Sequence, residues 1–419
     1  MKKLKIQGGH TLSGEVSISG SKNAALSVIA AAIMTEKKVV LENIPHLEDI
    51  TTMIRLVAGM GVSITLTDDR RLILDSSKIK NFLAPYDLVK TMRASILVLG
   101  PLVARFGEAT VSLPGGCAIG ARPVNMHLDG LKAMGAEIEI NEGYICAKAK
   151  KLKGAHFTFN PVSVTGTANL MMAAVLAEGQ SILENSAIEP EVISLGELLL
   201  KMGAKIKGLG TRKIIIDGVN KLASAEHTII PDRIETGTFL VAATITKSRV
   251  MLRKTQPQQL QSVLDLLSHT GASISFEEDK IEISMREKNI IPVDFITNPY
   301  PGIPTDMQAQ FMILNAIARG NSIVNETIFE NRFMHVLELQ RMGADISLSG
   351  NTAYITGVEK LQAAPVMATD LRASAALVLA GLVAEGETHI DRIYHIDRGY
   401  ECIENKLSLL GAKVARIET

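Results

Sequence analysis

The segment around Cys117 holds the residues best suited to acid or nucleophilic chemistry. Residues 113–123 read Leu-Pro-Gly-Gly-Cys-Ala-Ile-Gly-Ala-Arg-Pro, and three glycines with two prolines in eleven residues exclude a regular helix or strand. A lone cysteine is more often a small buried apolar residue. Here the flanking glycines leave the thiol accessible, and Arg122 favours the thiolate. The segment is therefore interpreted as a mobile lid that carries an acid or a nucleophile.

Two further positions combine a charged side chain with the start of a helix. Lys22 follows Ser21 at the beginning of an apolar run, where a cation opposes the helix dipole unless an anion compensates it. A solvated surface lysine is the alternative. Thr305 and Gln308 have the spacing of a capping box. Such a cap would leave the carboxylate of Asp306 free to act as a base.

Arginines are frequent in the C-terminal third of the chain. Four of them are interpreted as one cluster, with Asp370 two residues before the second: Arg332, Arg372, Arg392 and Arg398. Scattered surface charge is the alternative interpretation. Together with Lys22 and Arg122 they would instead bind several phosphate and carboxylate oxygens. The sequence has no P-loop, no dinucleotide-binding glycine motif and no zinc-protease motif.

A short sequence pattern recurs six times along the chain: the apolar end of a helix, then glycine, then a strand. The helices and strands of this repeat must position the candidate site residues named above. The glycines are spaced 68 to 74 residues apart: Gly61, Gly135, Gly203, Gly271, Gly343 and Gly411. A near-constant period indicates a repeated supersecondary unit. Each glycine is expected to adopt the left-handed conformation that ends a helix.

A second landmark in the repeat predicts where polar side chains gather. Counting 14 residues back from the turns at 37, 107, 179, 320 and 386 reaches a polar residue at the start of an apolar helix in each case. These residues are Asn23, Arg93, Thr165, Asp306 and Arg372. In the fourth unit the count reaches Ile234, between Arg233 and Glu235. Converging helix N-termini would form an anion-binding cavity. Simple helix capping is the alternative for Thr165 and Asp306.

Composition narrows the class of protein. The 419 residues predict two domains, and the six units predict an α+β fold with mixed sheets, divided three plus three near residues 226–231. Lys plus Arg and Asp plus Glu both number 44, so no net field favours nucleic acid or an anionic membrane. Three cysteines without metal-ligand spacing suit a reducing compartment. The N-terminus lacks an apolar secretion segment, so a cytoplasmic location is expected.

Eight segments in order resemble the UDP-N-acetylglucosamine 1-carboxyvinyltransferase family, the UDP-N-acetylglucosamine enolpyruvyl transferases. The resemblance covers nearly the whole chain, in residues 20–26, 90–95, 114–124, 231–237, 304–310, 329–333, 368–374 and 395–400. It implies a two-domain inside-out α/β barrel built from six similar repeats, three per domain. The implied domains are residues 22–229, which carry the Cys117 loop, and residues 1–21 plus 230–419.

The resemblance also implies an activity. Members transfer the enolpyruvyl group of phosphoenolpyruvate to the 3′-hydroxyl of UDP-N-acetylglucosamine and release phosphate, by addition and elimination, as the first committed step of peptidoglycan synthesis. By resemblance Cys117 is the acid, Asp306 the base, and Lys22 and Arg398 hold phosphate and carboxylate. The residues implied in substrate binding are Asn23, Arg93, Arg122, Pro123, Val124, Asn125, Met126, Ser163, Val164, Ile328, Arg332, Asp370 and Arg372. The two small-molecule substrates are the only partners implied, with no metal, cofactor, nucleic acid or membrane insertion.

Two alternative functions remain open, and the sequence departs from the family pattern at two positions. The sister family, 5-enolpyruvylshikimate-3-phosphate synthase, shares the fold and the Ser-Lys opening but lacks the cysteine lid. A non-catalytic paralogue that binds a UDP-sugar is the other alternative. Family members often have Asp where Asn125 stands, and many place a lysine before Val162–Val164, where this chain has Pro161. Contacts with the nucleotide are expected to differ there.

Overall fold

The computed structural model describes residues 2–69, 71–114, 124–286 and 289–418. These residues form two compact units. The N-terminal unit comprises residues 20–69, 71–114 and 124–230, and the C-terminal unit comprises residues 2–19, 231–286 and 289–418. Chain contacts therefore assign the first residues of the sequence to the C-terminal unit.

The described residues form fourteen α-helices and four short 3-10 helices. The α-helices are α1 (Lys22–Ala31), α2 (Glu48–Met60), α3 (Tyr86–Val89), α4 (Leu99–Phe106), α5 (Asn125–Ala133), α6 (Val164–Val175), α7 (Pro190–Lys201), α8 (Arg233–Ile245), α9 (Gln261–His269), α10 (Gln308–Ala316), α11 (Val336–Arg341), α12 (Ala373–Val383), α13 (Tyr394–Asp397) and α14 (Ile403–Leu409). The 3-10 helices are Ala32–Met34, Arg93–Val98, Pro257–Leu260 and Thr305–Met307.

The same residues form 24 strands. They are β1 (Lys2–Gln7), β2 (Ser13–Ser17), β3 (Lys38–Glu42), β4 (Ser63–Leu66), β5 (Leu72–Asp75), β6 (Leu83–Ala84), β7 (Glu108–Ser112), β8 (Glu137–Asn141), β9 (Tyr144–Lys148), β10 (His156–Thr158), β11 (Gln180–Glu184), β12 (Lys205–Lys207), β13 (Lys213–Asp217), β14 (Ala225–Thr228), β15 (Arg249–Arg253), β16 (Ser273–Phe276), β17 (Lys280–Ser284), β18 (Phe295–Ile296), β19 (Asn321–Asn325), β20 (Asp345–Ser349), β21 (Thr352–Thr356), β22 (Pro365–Met367), β23 (Glu387–Asp391) and β24 (Lys413–Glu418).

Each unit contains three four-stranded sheets of one design. The N-terminal unit has the strand orders β14-β3-β5-β4, β6-β7-β9-β8 and β10-β11-β13-β12; the C-terminal unit has β16-β17-β15-β2, β18-β19-β21-β20 and β22-β23-β1-β24. In the third sheet β10 pairs in parallel with β11, which pairs antiparallel with β13. A parallel pair needs a crossover, and α6 supplies it. The six predicted repeats are therefore six βαβαββ units.

Strands from the ends of each unit complete its first or last sheet. β14 pairs in parallel with β3, and the paired residues, such as Ala225 and Val39, are 186 residues apart along the chain. In the C-terminal unit β1 pairs antiparallel with both β23 and β24, and β2 pairs in parallel with β15. The pairing of β1 and β2 explains why residues 2–19 belong to the C-terminal unit.

Buried helices form the core of each unit. Every residue of α10 is buried, and so are nearly all residues of α8 and α12; these three helices pack against one another. Helices that are apolar on all sides are expected to be buried. Outer helices such as α2 bury one face only, and strands such as β11 alternate between buried and more exposed positions. The predicted inside-out α/β architecture, with helices inside and sheets outside, is confirmed.

The six repeat glycines have the predicted conformation. Their φ angles lie between +90° and +108°, in the left-handed region that favours glycine. At Gly61 the backbone also passes close to a neighbour, since an added Cβ would lie 2.7 Å from the carbonyl oxygen of Lys78. The period detected in the sequence therefore marks six equivalent helix ends.

No helix in the described part of the chain has the length and apolar character that crossing a membrane would require.

Candidate active site

Polar residues lie at the starts of the core helices, as the repeat predicted. Arg93 is the first residue of a 3-10 helix, and Asn23 and Thr165 are the second residues of α1 and α6. α8 begins at Arg233. Asp306 lies in the 3-10 turn before α10, and Arg372 immediately precedes α12. In the fourth unit α8 therefore begins one residue before Ile234, the position that the count reached.

Lys22 is buried and paired with a carboxylate in the N-terminal unit. Its Nζ lies 3.4 Å from Oδ2 of Asp49, and the two side chains are 7% and 6% exposed. The solvated alternative is therefore wrong for Lys22. Ser21 caps α1 by accepting a hydrogen bond from the backbone N–H of Ala24. Asp49 supplies the anion that a cation in a first helical turn requires.

A buried histidine links the starts of α5 and α6. Nδ1 of His127 lies 2.9 Å from Nδ2 of Asn169, and Nε2 lies 3.3 Å from Oγ1 of Thr165. Oδ1 of Asn169 already accepts the backbone N–H of Gly100, so its Nδ2 must donate to Nδ1 of His127. The neutral imidazole therefore carries its proton on Nε2 and donates it to Thr165.

The surroundings keep His127 neutral. Burial lowers the pKa of His127 to about 4, and the nearby positive charge of Arg93 acts in the same direction. Ser163, not Thr165, caps α6 by accepting the backbone N–H of Gly166 at 3.1 Å. The capping alternative is therefore wrong for Thr165.

Asp306 lies between two buried arginines in the C-terminal unit. Nη2 of Arg332 donates to Oδ1 of Asp306 at 2.7 Å, and Nε of Arg372 donates to Oδ2 at 3.2 Å. The arginine side chains are 5% and 1% exposed, against 25% for Asp306. Both carboxylate oxygens therefore hold a guanidinium. The carboxylate is not free, contrary to the expectation from the sequence.

The predicted capping box before α10 is absent. The turn at Thr305–Met307 has no side-chain cap, and within the described residues the side chain of Gln308 makes no hydrogen bond. Instead Oγ1 of Thr305 accepts a hydrogen bond from Nη1 of Arg332 at 2.8 Å. Thr305 thus contacts the arginine that holds Asp306.

Asp370 orders the backbone around Arg372. Its Oδ1 accepts the backbone N–H groups of Arg372 at 2.8 Å and Ala373 at 3.0 Å, which caps α12. The Arg372 guanidinium lies over the Tyr400 ring at 5.3 Å. Burial lowers the pKa of Arg372, but Tyr400, Asp306 and Asp232 outweigh burial, so the net pKa lies above its usual value.

The other predicted residues vary in exposure. Val124 is buried and Ser163 half-buried where α5 and α6 begin; Val164 is 37% exposed, and Asn23 and Asn125 are also exposed. Arg93, Met126, Ile328 and Arg398 are half-buried. Arg392 is exposed, so that member of the arginine cluster is surface charge. Cys117, Arg122 and Pro123 lie outside the described residues.

Several partners of the predicted residues were not recognised in the sequence. They are Asp49, His127, Asn169 and Glu326; Thr305 was singled out as a helix cap but not as a partner of Arg332. A polar residue directly after a predicted strand was a usable signal for Glu326, which follows β19. The others sit at ordinary helix positions where the sequence gives no signal. In the part of the chain that the structure covers, no three His, Cys, Asp or Glu side chains cluster as metal ligands do.

The sequence matches the family model described as EPSP synthase (3-phosphoshikimate 1-carboxyvinyltransferase) over residues 6–407. The fold is similar to the enolpyruvyl transferase NikO from Streptomyces tendae, with a TM-score of 0.90 and 24% identity over 100% of this chain and 99% of that one. Two structures of EPSP synthase from Acinetobacter baumannii match with TM-scores of 0.76 and 0.78 at 17% and 18% identity, over 100% of both chains. At these identities the solved structures support the fold, whereas the family model covers nearly the whole sequence. The chain belongs to the EPSP synthase family of enolpyruvyl transferases.

Proposed function

We propose that this protein transfers the enolpyruvyl group of phosphoenolpyruvate to the 3′-hydroxyl of UDP-N-acetylglucosamine and releases phosphate. The observation that carries the proposal is the segment Pro114 to Val124, with Cys117 between glycines and Arg122-Pro123-Val124 after it. This segment resembles the UDP-N-acetylglucosamine enolpyruvyl transferases. The sister family that acts on shikimate 3-phosphate lacks the cysteine lid. On this proposal the enzyme works in the cytoplasm, at the first committed step of peptidoglycan synthesis.

The chemistry requires a base, an acid and cations. The base takes the proton of the sugar hydroxyl, whose oxygen then adds to C2 of phosphoenolpyruvate. The acid protonates the methylene carbon C3, which gives a tetrahedral ketal. Elimination then removes a proton from C3 and releases phosphate. We assign Asp306 as the base and Cys117 as the acid, with Lys22, Arg122 and Arg398 holding phosphate and carboxylate.

The ion pairs of Asp306 suggest how the base is activated. A carboxylate whose two oxygens each accept a guanidinium hydrogen bond is a weak base, because both interactions favour its ionised form. Phosphate and carboxylate groups are strong acceptors for arginine. An anionic substrate that draws Arg332 or Arg372 away frees a carboxylate oxygen for the sugar hydroxyl. Binding of phosphoenolpyruvate would then prepare the base.

Lys22 and His127 support the same assignment in the N-terminal unit. The Lys22 ammonium is buried beside Asp49, and a buried cation interacts more strongly with a substrate anion than a solvated one does. His127 joins the start of α5, which follows the Arg-Pro-Val segment, to the start of α6, which carries Ser163 and Val164. These two helix starts are the positions proposed to hold the UDP-sugar.

The second candidate is enolpyruvyl transfer to shikimate 3-phosphate. The match to the EPSP synthase family model favours it. Phosphate release measured with phosphoenolpyruvate and each acceptor separately distinguishes the two. We expect release with UDP-N-acetylglucosamine and loss of that release after thiol alkylation. Release with shikimate 3-phosphate alone would refute the proposal, and release with neither acceptor would favour a non-catalytic UDP-sugar-binding protein.

A further inference from the structure

A buried carboxylate, Glu326, lies behind the predicted catalytic base in the C-terminal unit. It follows β19 and is 1% exposed. Its backbone is fixed by Asn351, whose carbonyl oxygen accepts the N–H of Glu326 at 2.8 Å and whose Nδ2 donates to the Glu326 carbonyl at 3.1 Å. The side chain therefore points inward from a well-defined position.

Within the described part of the chain the Glu326 carboxylate accepts four hydrogen bonds. Oε1 accepts from Oγ1 of Thr297 at 2.9 Å and from the backbone N–H groups of Ile328 at 2.8 Å and Phe329 at 3.1 Å. Oε2 accepts from Oγ1 of Thr305 at 2.8 Å. Four donors satisfy a buried carboxylate. Glu326 thus joins the turn that contains Asp306 to the loop that contains Ile328.

The charge of Glu326 fixes the direction of the hydrogen bonds through Thr305. An ionised carboxylate only accepts, so the single hydroxyl proton of Thr305 must be donated to Glu326. The lone pairs of Thr305 then remain to accept Nη1 of Arg332 at 2.8 Å. Nη2 of the same guanidinium donates to Asp306 at 2.7 Å. The guanidinium therefore bridges two adjacent residues with a fixed orientation.

We propose that Glu326 is a positioning residue that acts through Thr305 to hold Arg332 against Asp306. This inference rests on the proposed function, because it assigns Asp306 as the base. Glu326 itself does not reach the substrates on this account. Its role is to orient the hydroxyl that orients the guanidinium, so that Arg332 is held where the substrate anion can take it up and leave Asp306 free to act as the base.

Three substitutions test the chain of hydrogen bonds that runs from Glu326 through Thr305 to Arg332. Thr305→Val keeps the side-chain shape but removes the hydroxyl, Thr305→Ser keeps the hydroxyl, and Glu326→Gln turns one acceptor into a donor facing Thr305. Each of Thr305→Val and Glu326→Gln removes a hydrogen bond to a charged group and so weakens the orientation of Arg332. We therefore expect kcat to fall about 10- to 100-fold in both variants. Thr305→Ser should stay within about threefold of the wild type. KM for UDP-N-acetylglucosamine should change little in any of them.

Two controls separate positioning from a general loss of stability. Thr270→Val removes another buried hydroxyl of the same unit, which donates to the carbonyl of Leu267, and should leave kcat unchanged. The double variant Thr305→Val with Glu326→Gln should be no slower than either single variant, because both break one chain of contacts. Additive losses in kcat, or a Thr270→Val loss equal to that of Thr305→Val, would overturn the inference.

A crystal structure of Thr305→Val supplies a readout that does not depend on turnover. We expect the Arg332 guanidinium to move away from Asp306 relative to the wild type. An unchanged Arg332–Asp306 contact would overturn the inference whatever the activity. Wild-type inactivity with UDP-N-acetylglucosamine and phosphoenolpyruvate would count against the proposed function instead, so the two failures are distinguishable.

Discussion

Replacing Asp306 by asparagine should destabilise the C-terminal unit as well as abolish turnover. Catalytic residues are often strained, and replacing them often raises stability. Asp306 is different, because its carboxylate is the shared partner of two arginines that are 5% and 1% exposed. In Asp306→Asn one amide oxygen remains to accept from one guanidinium. The amide nitrogen then faces the other guanidinium, donor against donor.

The contacts set the magnitude. Each hydrogen bond to a charged group contributes about 1.5 to 3 kcal/mol, and the two guanidinium contacts measure 2.7 and 3.2 Å. One contact is lost outright, and the other keeps only a neutral acceptor in place of a charged one. Solvent reaches Asp306, which is 25% exposed, so we take the lower end, about 1.5 kcal/mol, for each of these two effects and expect a loss of about 3 kcal/mol. For a unit of this size the melting temperature should fall by about 6 to 12 °C. Differential scanning calorimetry of the full chain measures the shift.

Inorganic phosphate gives the decisive comparison. In Asp306→Asn an added anion can take the place of the missing carboxylate, so phosphate should raise the melting temperature more in the variant than in the wild type. Asp294→Asn is the matched control, because Asp294 is exposed and, among the residues that the structure describes, its side chain accepts only the backbone N–H of Ile323 at 2.7 Å. An Asp306→Asn protein as stable as the wild type, with no extra response to phosphate, would refute the counterion role.

Three other predictions follow from separate features. Cys117→Ser should slow phosphate release about 100-fold or more, while binding of UDP-N-acetylglucosamine measured by calorimetry persists. Cys117→Asp should retain activity, because a carboxylic acid also supplies a proton. A fully active serine variant would remove Cys117 from the acid role. Gly100→Ala should destabilise the N-terminal unit by about 1 to 3 kcal/mol in urea denaturation, although alanine usually stabilises a helix relative to glycine. The reason is that the new Cβ would lie 2.4 Å from both O and Oδ1 of Asn169. A gain in stability would contradict this packing. Burial lowers the pKa of His227 from 6.5 to about 4, so its neutral form stabilises the fold above pH 6.5 and that contribution is lost as the pH falls towards 4. Between about pH 7 and about pH 5.5 His227→Gln should lose about 1 kcal/mol less stability than the wild type, and equal losses would count against a neutral buried imidazole.

The repeat was predictable because helix ends obey local rules. Glycine adopts most readily the positive φ with which these six helices turn into the following strands, so Gly61 and its five equivalents keep a near-constant spacing. The helix starts were found by counting from the same turns. The structure confirms the count at Arg93, whereas the counted positions Asn23 and Ile234 each lie one residue after the start of a helix. The sheet design is not local, since β14 pairs with β3 across most of a unit.

The sequence by itself determined which residue types stand at the six helix starts, because hydrophobic period and turn chemistry act over a few neighbouring residues. Only the tertiary structure decided which partners those residues have. Capping rules predicted a free Asp306 carboxylate and left open a solvated Lys22. Folding instead places Arg332 and Arg372 on Asp306, and Asp49 on Lys22. A buried charge needs a counterion, because leaving water unpaired is costly. The counterions here lie 26 to 66 residues away in the chain, so no local sequence pattern predicts them.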